Sequence, residues 1–154
     1  MEIVDFLTQD AVLPRLKAAS KKQALQELSA TAAKLCGLHE RQILGVLMER
    51  EKLGSTGLGQ GIAIPHGKLA GIKHVLGVFA RLEAPVEFEA VDSLPVDLMF
   101  LLLVPEGAGA DHLKALARVS RLLRDKKMVE KLRATDTAEA LYALLADGSA
   151  KRAA

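Results

Sequence analysis

A histidine held between a proline and a glycine is the residue of this chain with the clearest capacity for chemistry. His66 follows Pro65 and precedes Gly67, after a segment with glycines at 54, 57, 59 and 61. Pro65 fixes its own φ and favours an extended Ile64, so the backbone that reaches His66 is stiff. Gly67 has no side chain, which leaves room for a close approach to the imidazole. Because glycine-rich turns can direct backbone N–H groups toward an anion, the segment indicates phosphoryl transfer through histidine.

The same segment has a simpler interpretation, in which an ordinary glycine turn joins a helix to a strand and His66 is a surface residue. Two nucleotide-binding motifs do not fit it. A P-loop requires Gly-x-x-x-x-Gly-Lys followed by Ser or Thr, and that pattern is not present here. The spacing of the glycines also departs from Gly-x-Gly-x-x-Gly, the dinucleotide-binding fingerprint.

A second histidine, His112, follows the Gly/Ala-rich segment 105–110 and lies in the first turn of a helix that Asp111 is expected to cap. A helix N-terminus carries about half a positive charge, which favours anions and disfavours imidazolium. A neutral His112 could therefore donate a hydrogen bond to a phosphoryl oxygen. The alternative is a solvent-facing histidine. His39 and His74 are interpreted as surface residues, and no metal site is expected because the histidines lack ligand spacing.

Composition limits the classes of function. The chain has 154 residues, of which 50% are apolar, and 21 basic residues are balanced by 19 acidic ones. This balance, with only 3% aromatic residues, argues against a nucleic-acid partner. Cys36 is the only cysteine, as is typical of a reducing cytosol. There is no signal-peptide pattern, and the longest apolar run, 98–104, is too short to span a bilayer, so we expect a cytoplasmic protein without membrane insertion.

The elements that must position the two histidines follow from caps and periodicity. Ser20 and Gln23 have capping-box spacing and Gly37 ends the apolar pattern, which predicts a helix between them. Further helices are predicted at about 39–52, 111–124, 126–132 and 137–145, and strands at 62–64, 75–82, 86–88 and 96–104. The last strand is apolar enough for burial on both faces. We predict an α/β fold: one domain over 1–147 with a small mixed β-sheet flanked by helices, then a flexible tail over 148–154.

Two stretches resemble the active-site signature of the type 2 enzyme IIA domain (mannitol/fructose type) of the bacterial phosphoenolpyruvate-dependent phosphotransferase system. They read LMEREKLGSTG over 47–57 and GIAIPHGK over 61–68. The run PVDLMFLLLVP over 95–105 and the pair His112-Leu113 match later blocks of the family. The resemblance covers nearly the whole chain apart from the tail.

The resemblance implies that His66 accepts a phosphoryl group from a histidine phosphocarrier protein as tele-phosphohistidine. It also implies that His112 stabilises that group, and it implies no cofactor. Phosphoryl transfer needs alignment and stabilisation of the equatorial oxygens. The candidates for this environment are Arg50, Ser55, Thr56 and Gly61, the last through the N–H groups of its loop. The alternative for Arg50 is an i,i+4 ion pair on its own helix.

Two roles remain open within the family. The motif EREKLGSTG over 49–57 is most similar to the nitrogen-related, regulatory branch, whose phosphorylation state controls binding to other proteins. We therefore expect a regulatory switch that acts on target proteins. The alternative is a free-standing enzyme IIA that passes phosphate to a transporter IIB domain of fructose or mannitol type. A third possibility, a binding module that keeps the fold without phosphorylation, is disfavoured because both histidines are present.

Overall fold

The longest apolar segment of the chain, 98–104, lies in the central strand of the fold.

The computed structural model describes residues 1–153, with side chains described for 1–147. Within that range the strands are β1 Val12–Leu16, β2 Gly57–Gly59, β3 Ile62–Ala63, β4 His66–Leu69, β5 Leu76–Val86 and β6 Val96–Pro105, and the helices are α1 Lys21–Cys36, α2 Glu40–Lys52, α3 Ala110–Arg124, α4 Lys126–Arg133 and α5 Ala138–Ala153.

The strands form one six-stranded mixed sheet in the order β1-β5-β6-β3-β2, and β4 also pairs with β6. β6 is buried over nearly all of its length, as its composition predicted. It pairs antiparallel with β5 and parallel with β3 and β4. With the helices packed on this sheet, the prediction of a single α/β domain with a small mixed sheet is confirmed.

The predicted helix ends of the first half agree with the structure. The Ser20 hydroxyl accepts a hydrogen bond from the Gln23 amide at 3.1 Å, and Gly37 ends α1 in the left-handed conformation with φ of 76°. The Gln23 side chain accepts from the amide of Ala19, one residue before the expected partner. His39 is the N-cap of α2, since its Nδ1 accepts a hydrogen bond from the Arg41 amide at 3.1 Å.

Two predictions about elements were wrong, and the strands β1, β2 and β4 were not predicted. β5 runs through the gap between the strands predicted at 75–82 and 86–88, because a register shift between Arg81 and Val86 carries the pairing past Pro85; it ends at Val86, so residues 87–88 lie outside it. Asp111 does not cap α3; the N-cap position is Gly109, whose φ is 51° and which has no side chain to offer. β1 was not predicted, since Pro14 interrupts its short apolar pattern.

The C-terminal helices extend further than predicted. α4 ends at Arg133 and α5 runs over Ala138–Ala153, whereas the sequence pattern indicated 126–132 and 137–145. Asp125 caps α4, because its carboxylate accepts hydrogen bonds from the amides of Lys127 and Met128. The flexible tail predicted for 148–154 lies outside the fully described residues and stays a prediction.

Candidate active site

A break in one strand positions His66. β3 pairs Ile62 with Leu98 of β6, and β4 pairs His66 with Leu102, so the same register resumes after the interruption at residues 64–65. At the break the Ile64 carbonyl turns toward the histidine, and His66 Nδ1 lies 2.7 Å from that oxygen. Since a carbonyl oxygen only accepts, Nδ1 carries the proton in this contact. The lone pair of the neutral imidazole is therefore on Nε2.

His112 meets His66 although the two are far apart in the sequence. β4 lies beside β6, and the chain leaves β6 to enter α3, which brings the first turn of α3 to the start of β4. The two imidazole rings have centroids 5.7 Å apart and planes inclined by 66°. Both residues are half-buried. The pairing of the two histidines that the sequence singled out is thus present in the fold.

Burial is the main reason that the pKa of His66 lies below its ordinary value of 6.5. The hydrogen bond to Ile64 opposes this shift, and the charges of Arg50 and His112 add to it. The carboxylate of Glu51 acts in the opposite direction and raises the pKa. The lowering prevails, so His66 is a neutral imidazole with a free Nε2 lone pair at neutral pH.

The pKa of His112 is also lowered, again first by burial and then by the positive charge of Lys68 on β4. A neutral His112 can donate one hydrogen bond from its ring. The prediction of a neutral second histidine at the start of a helix agrees with this direction, although the sequence did not indicate Lys68 as a contributor.

Arg50 lies in the last turn of α2. Its Nη1 donates to the Gly54 carbonyl at 2.8 Å, so Arg50 bonds the following loop rather than a carboxylate on its own helix. Its charge nevertheless acts on His66. The guanidinium has further N–H donors that this bond does not use.

The hydroxyls of Ser55 and Thr56 form hydrogen bonds within the protein. Ser55 donates to the Phe88 carbonyl at 2.8 Å and accepts from the Gly57 amide at 3.0 Å. Thr56 donates its hydroxyl hydrogen to the carboxylate of Glu51. In this conformation both side chains hold the loop in place, and neither hydroxyl hydrogen is directed at a ligand.

The glycine segment is largely a β-hairpin. β2 pairs antiparallel with β3, and the two residues between them, Gln60 and Gly61, have φ of 57° and 83°, as a type I′ turn requires. The structure does not bring Gly61 to the two histidines: four residues of largely extended chain lie between it and His66, so the five residue steps span roughly 16 Å. It lies instead beside Asp97 and Arg133, where a Cβ would approach Arg133 Nη2 to 2.3 Å.

The space beside Gly67 is occupied by the protein itself. A Cβ at this position would lie 2.5 Å from Cγ1 of Val46, which belongs to α2. The expected room for an external group at Gly67 is therefore filled by the helix that carries Arg50. The glycine permits α2 to pack closely against β4.

Sequence reasoning missed one charged pair, formed by Glu51 at the end of α2 and Lys21 at the start of α1, with an N–O distance of 2.9 Å. The side chain of Glu51 is only 5% exposed. Glu51 stands in the charged run Glu49-Arg50-Glu51-Lys52, which has the pattern of a solvated helix end. No local signal distinguishes the buried carboxylate from its exposed neighbour Glu49.

The described part of the chain has neither a metal-ligand cluster nor a membrane-spanning helix. No group of three or more histidine, cysteine or acidic residues is arranged there to hold a metal ion. Of the helices in that part, none is both long enough and apolar enough to cross a membrane.

Comparison with known proteins gives matches to EIIA and nitrogen regulatory proteins. A family model described as the phosphoenolpyruvate-dependent sugar phosphotransferase system, EIIA 2, matches residues 5–148. A nitrogen regulatory protein of Bradyrhizobium diazoefficiens is 59% identical over 146 residues, 95% of each chain. A fructose-specific EIIA component of Haloferax volcanii is 35% identical over 130 residues, 84% of each chain. The crystal structure of nitrogen regulatory protein IIA-Ntr from Neisseria meningitidis has a TM-score of 0.88 and 39% identity, covering 93% of this chain and 98% of that one.

Proposed function

This chain belongs to the EIIA 2 family of the phosphoenolpyruvate-dependent sugar phosphotransferase system, and from that premise we propose a regulatory phosphohistidine relay. His66 accepts a phosphoryl group from a histidine phosphocarrier protein, and the phosphorylation state controls binding to target proteins in the cytoplasm. The observation that carries the proposal is the hydrogen bond from His66 Nδ1 to the Ile64 carbonyl at 2.7 Å, with His112 beside it.

The chemical step is a displacement at phosphorus. The Nε2 lone pair of His66 forms the new N–P bond while the N–P bond to the donor's histidine breaks, and the donor ring recovers its electron pair. Nδ1 keeps its proton throughout, so the product is tele-phosphohistidine with a positively charged ring. The Ile64 carbonyl and the nearby Glu51 carboxylate stabilise that charge, since both favour the protonated ring.

The groups around Nε2 supply the alignment and charge stabilisation that phosphoryl transfer needs. His112, neutral and next to the His66 ring, donates to an equatorial oxygen. Arg50 contributes its positive charge and its remaining N–H donors. Ser55 and Thr56 support the site by fixing the loop that follows α2.

The regulatory role rests on what phosphorylation changes at this surface. A phosphoryl group adds roughly −1.5 to −2 charges, enough to repel or reshape a docked partner. The identity of 59% to a protein named nitrogen regulatory protein, over nearly the full length of both chains, supports this branch of the family.

A direct experiment tests the acceptor. In a phosphoenolpyruvate-driven relay with radioactive phosphate, wild type and His74→Ala should be labelled with an acid-labile product, and His66→Ala should take up none. His74 is an exposed histidine and serves as the matched control. Equal labelling of His66→Ala would refute the assignment, and absence of uptake by wild type would favour a binding module without phosphorylation.

Sugar transport is the second candidate, because the fructose-specific relative is 35% identical over most of both chains. The two candidates differ in where the phosphate goes. A regulatory protein should capture different partners as His66→Ala and as His66→Asp, a partial mimic of the added charge. Identical partner sets, together with rapid discharge onto a fructose- or mannitol-type IIB domain, would establish the transport role instead.

A further inference from the structure

A largely buried ion pair joins Glu51, in the last turn of α2, to Lys21 of α1. Glu51 is 5% exposed and Lys21 is 17% exposed, and the Lys21 Nζ lies 2.9 Å from the Glu51 carboxylate. The same ammonium lies 4.6 Å from the centre of the buried Phe88 ring and 3.6 Å from Glu89. Desolvating two charges is costly, so such a pair is well compensated only where further hydrogen bonds satisfy it.

The remaining hydrogen bonds of Glu51 go to the loop after α2. Its carboxylate accepts from the Thr56 amide at 3.1 Å and also from the Thr56 hydroxyl. The preceding residue, Arg50, bonds the Gly54 carbonyl of the same loop. Arg50 and Glu51, at the end of α2, therefore fix the first and last residues of the segment 54–56.

Thr56 connects this turn to the nucleophile. Its carbonyl accepts a hydrogen bond from the Ile64 amide at 3.1 Å, and the Ile64 carbonyl accepts from His66 Nδ1 at 2.7 Å. A continuous series of contacts thus runs from Lys21 through Glu51, Thr56 and Ile64 to the imidazole. Because Ile64 precedes Pro65 at the break in the strand, the bond to Thr56 fixes the orientation of the carbonyl that selects the tautomer.

We propose that Glu51, neutralised by Lys21, is the positioning residue of the phosphorylation site: it fixes Thr56, and through Ile64 it holds His66 in the tautomer whose Nε2 is free. Glu51 does not touch the reacting atoms. Its relevance to phosphoryl transfer rests on the proposed function, whereas its effect on the tautomer of His66 does not.

Electrostatics gives Glu51 a second, separable effect on His66. The charged groups that act on the imidazole are Arg50 and Glu51 from α2 and His112 from α3. Among these, Glu51 alone raises the pKa of His66. Removing its charge while keeping one acceptor oxygen for Thr56 should therefore lower that pKa further.

Three variants separate the two effects, with the imidazole nitrogens of His66 read by ¹⁵N NMR in the full-length protein. Glu51→Gln keeps an oxygen for Thr56 but loses the charge, so the pKa of His66 should fall while Nδ1 stays protonated. Glu51→Ala loses the acceptor, so the fraction of the Nε2–H tautomer should rise and phosphoryl uptake should fall roughly tenfold, as for loss of a hydrogen bond to a charged group. The control is Glu49→Gln, which removes an exposed carboxylate two positions away and should leave both readouts unchanged.

The outcomes are distinct. A wild-type tautomer in Glu51→Ala would overturn the proposal, whatever happened to the uptake rate. If Glu51→Ala fails to fold, Glu51→Asp takes its place, because it keeps the charge and shortens the side chain by one methylene; a wild-type tautomer there overturns the proposal, and a raised Nε2–H fraction supports it. Absence of uptake by the wild-type protein would contradict the proposed function, and the NMR measurements would still decide the role of Glu51.

Discussion

At the scale of single residues, one carbonyl oxygen decides which nitrogen of His66 can react. The Ile64 carbonyl occupies the Nδ1 side, and burial keeps the ring neutral, so an accessible lone pair is available at Nε2 without a separate general base. This arrangement differs from hydrolases in which a second residue must remove a proton from the nucleophile. Under the proposed function, the strand break at Ile64-Pro65 therefore prepares His66 for reaction by fixing its tautomer.

The lowered pKa of His66 has a consequence for stability. The unfolded chain has a histidine pKa of about 6.5. Between the lowered pKa of His66 in the folded protein and pH 6.5, the unfolded state binds more protons than the folded state. The free energy of unfolding should therefore rise with pH in this window and fall as the pH is lowered through it. Urea unfolding of wild type and His66→Ala at pH 7.5 and at pH 5.5 checks this. The variant should lose less stability on acidification; equal losses would contradict the expectation. His112 contributes in the same direction.

The two histidines should respond differently to truncation. His112→Ala loses a donor to the phosphoryl oxygens and not the nucleophile, so labelling should persist at His66 with a slower rate. Loss of one hydrogen bond to a charged group costs about 1.5–3 kcal/mol, or roughly ten- to a hundredfold in rate. Mass-spectrometric mapping of the phosphorylated residue is the measurement. Label on residue 112 of the wild-type protein would reverse the assignment of roles.

At the scale of elements, close packing of α2 on β4 aligns the site. Gly67→Ala places a methyl group 2.5 Å from Val46 Cγ1, so it should destabilise the fold by about 1–3 kcal/mol. Val46→Ala in the same chain should recover part of that loss, because the two side chains then no longer overlap. Chemical denaturation of both single variants and the double variant gives the coupling energy. Additive losses would show that the close approach is not the cause.

The elements also show which parts of the fold the sequence could predict. Ser20, Gly37 and the run 96–104 are local signals, and the structure has them where they were expected. β2 was hidden because Gln60-Gly61 forms a tight turn inside what resembles a glycine loop, whereas β3 lies within the strand predicted at 62–64. The distance between His66 and His112, the burial of Glu51 and the contact at Gly67 depend on tertiary packing, and no local pattern contains them.

At the scale of the whole molecule, Arg133 joins the C-terminal helices to the sheet. Its Nε and Nη2 bond both oxygens of Asp97, and Nη2 also donates to the Gln60 carbonyl at 2.7 Å. Lysine has a single ammonium group and cannot bond both carboxylate oxygens in this way. Arg133→Lys should therefore lower the free energy of unfolding by about 1 kcal/mol, a modest value because the pair is partly exposed. Arg15→Lys is the control, since the Arg15–Asp136 pair is well exposed and should contribute almost nothing. Thermal unfolding of both variants is the test, and equal shifts would contradict it.

The outer strands of the sheet set limits on how another protein can attach. At one side β1 contains Pro14, which has no N–H to give, and its pairing with β5 shifts register along its five residues. At the other side β2 has only three residues, two of them glycine, and β4, which pairs with β6 alone, has four. Short, proline-bearing and irregular edges are poor templates for an incoming strand. Recognition of this protein by strand addition is therefore disfavoured, and under the proposed function selectivity among partners would rest on side chains and loops near His66.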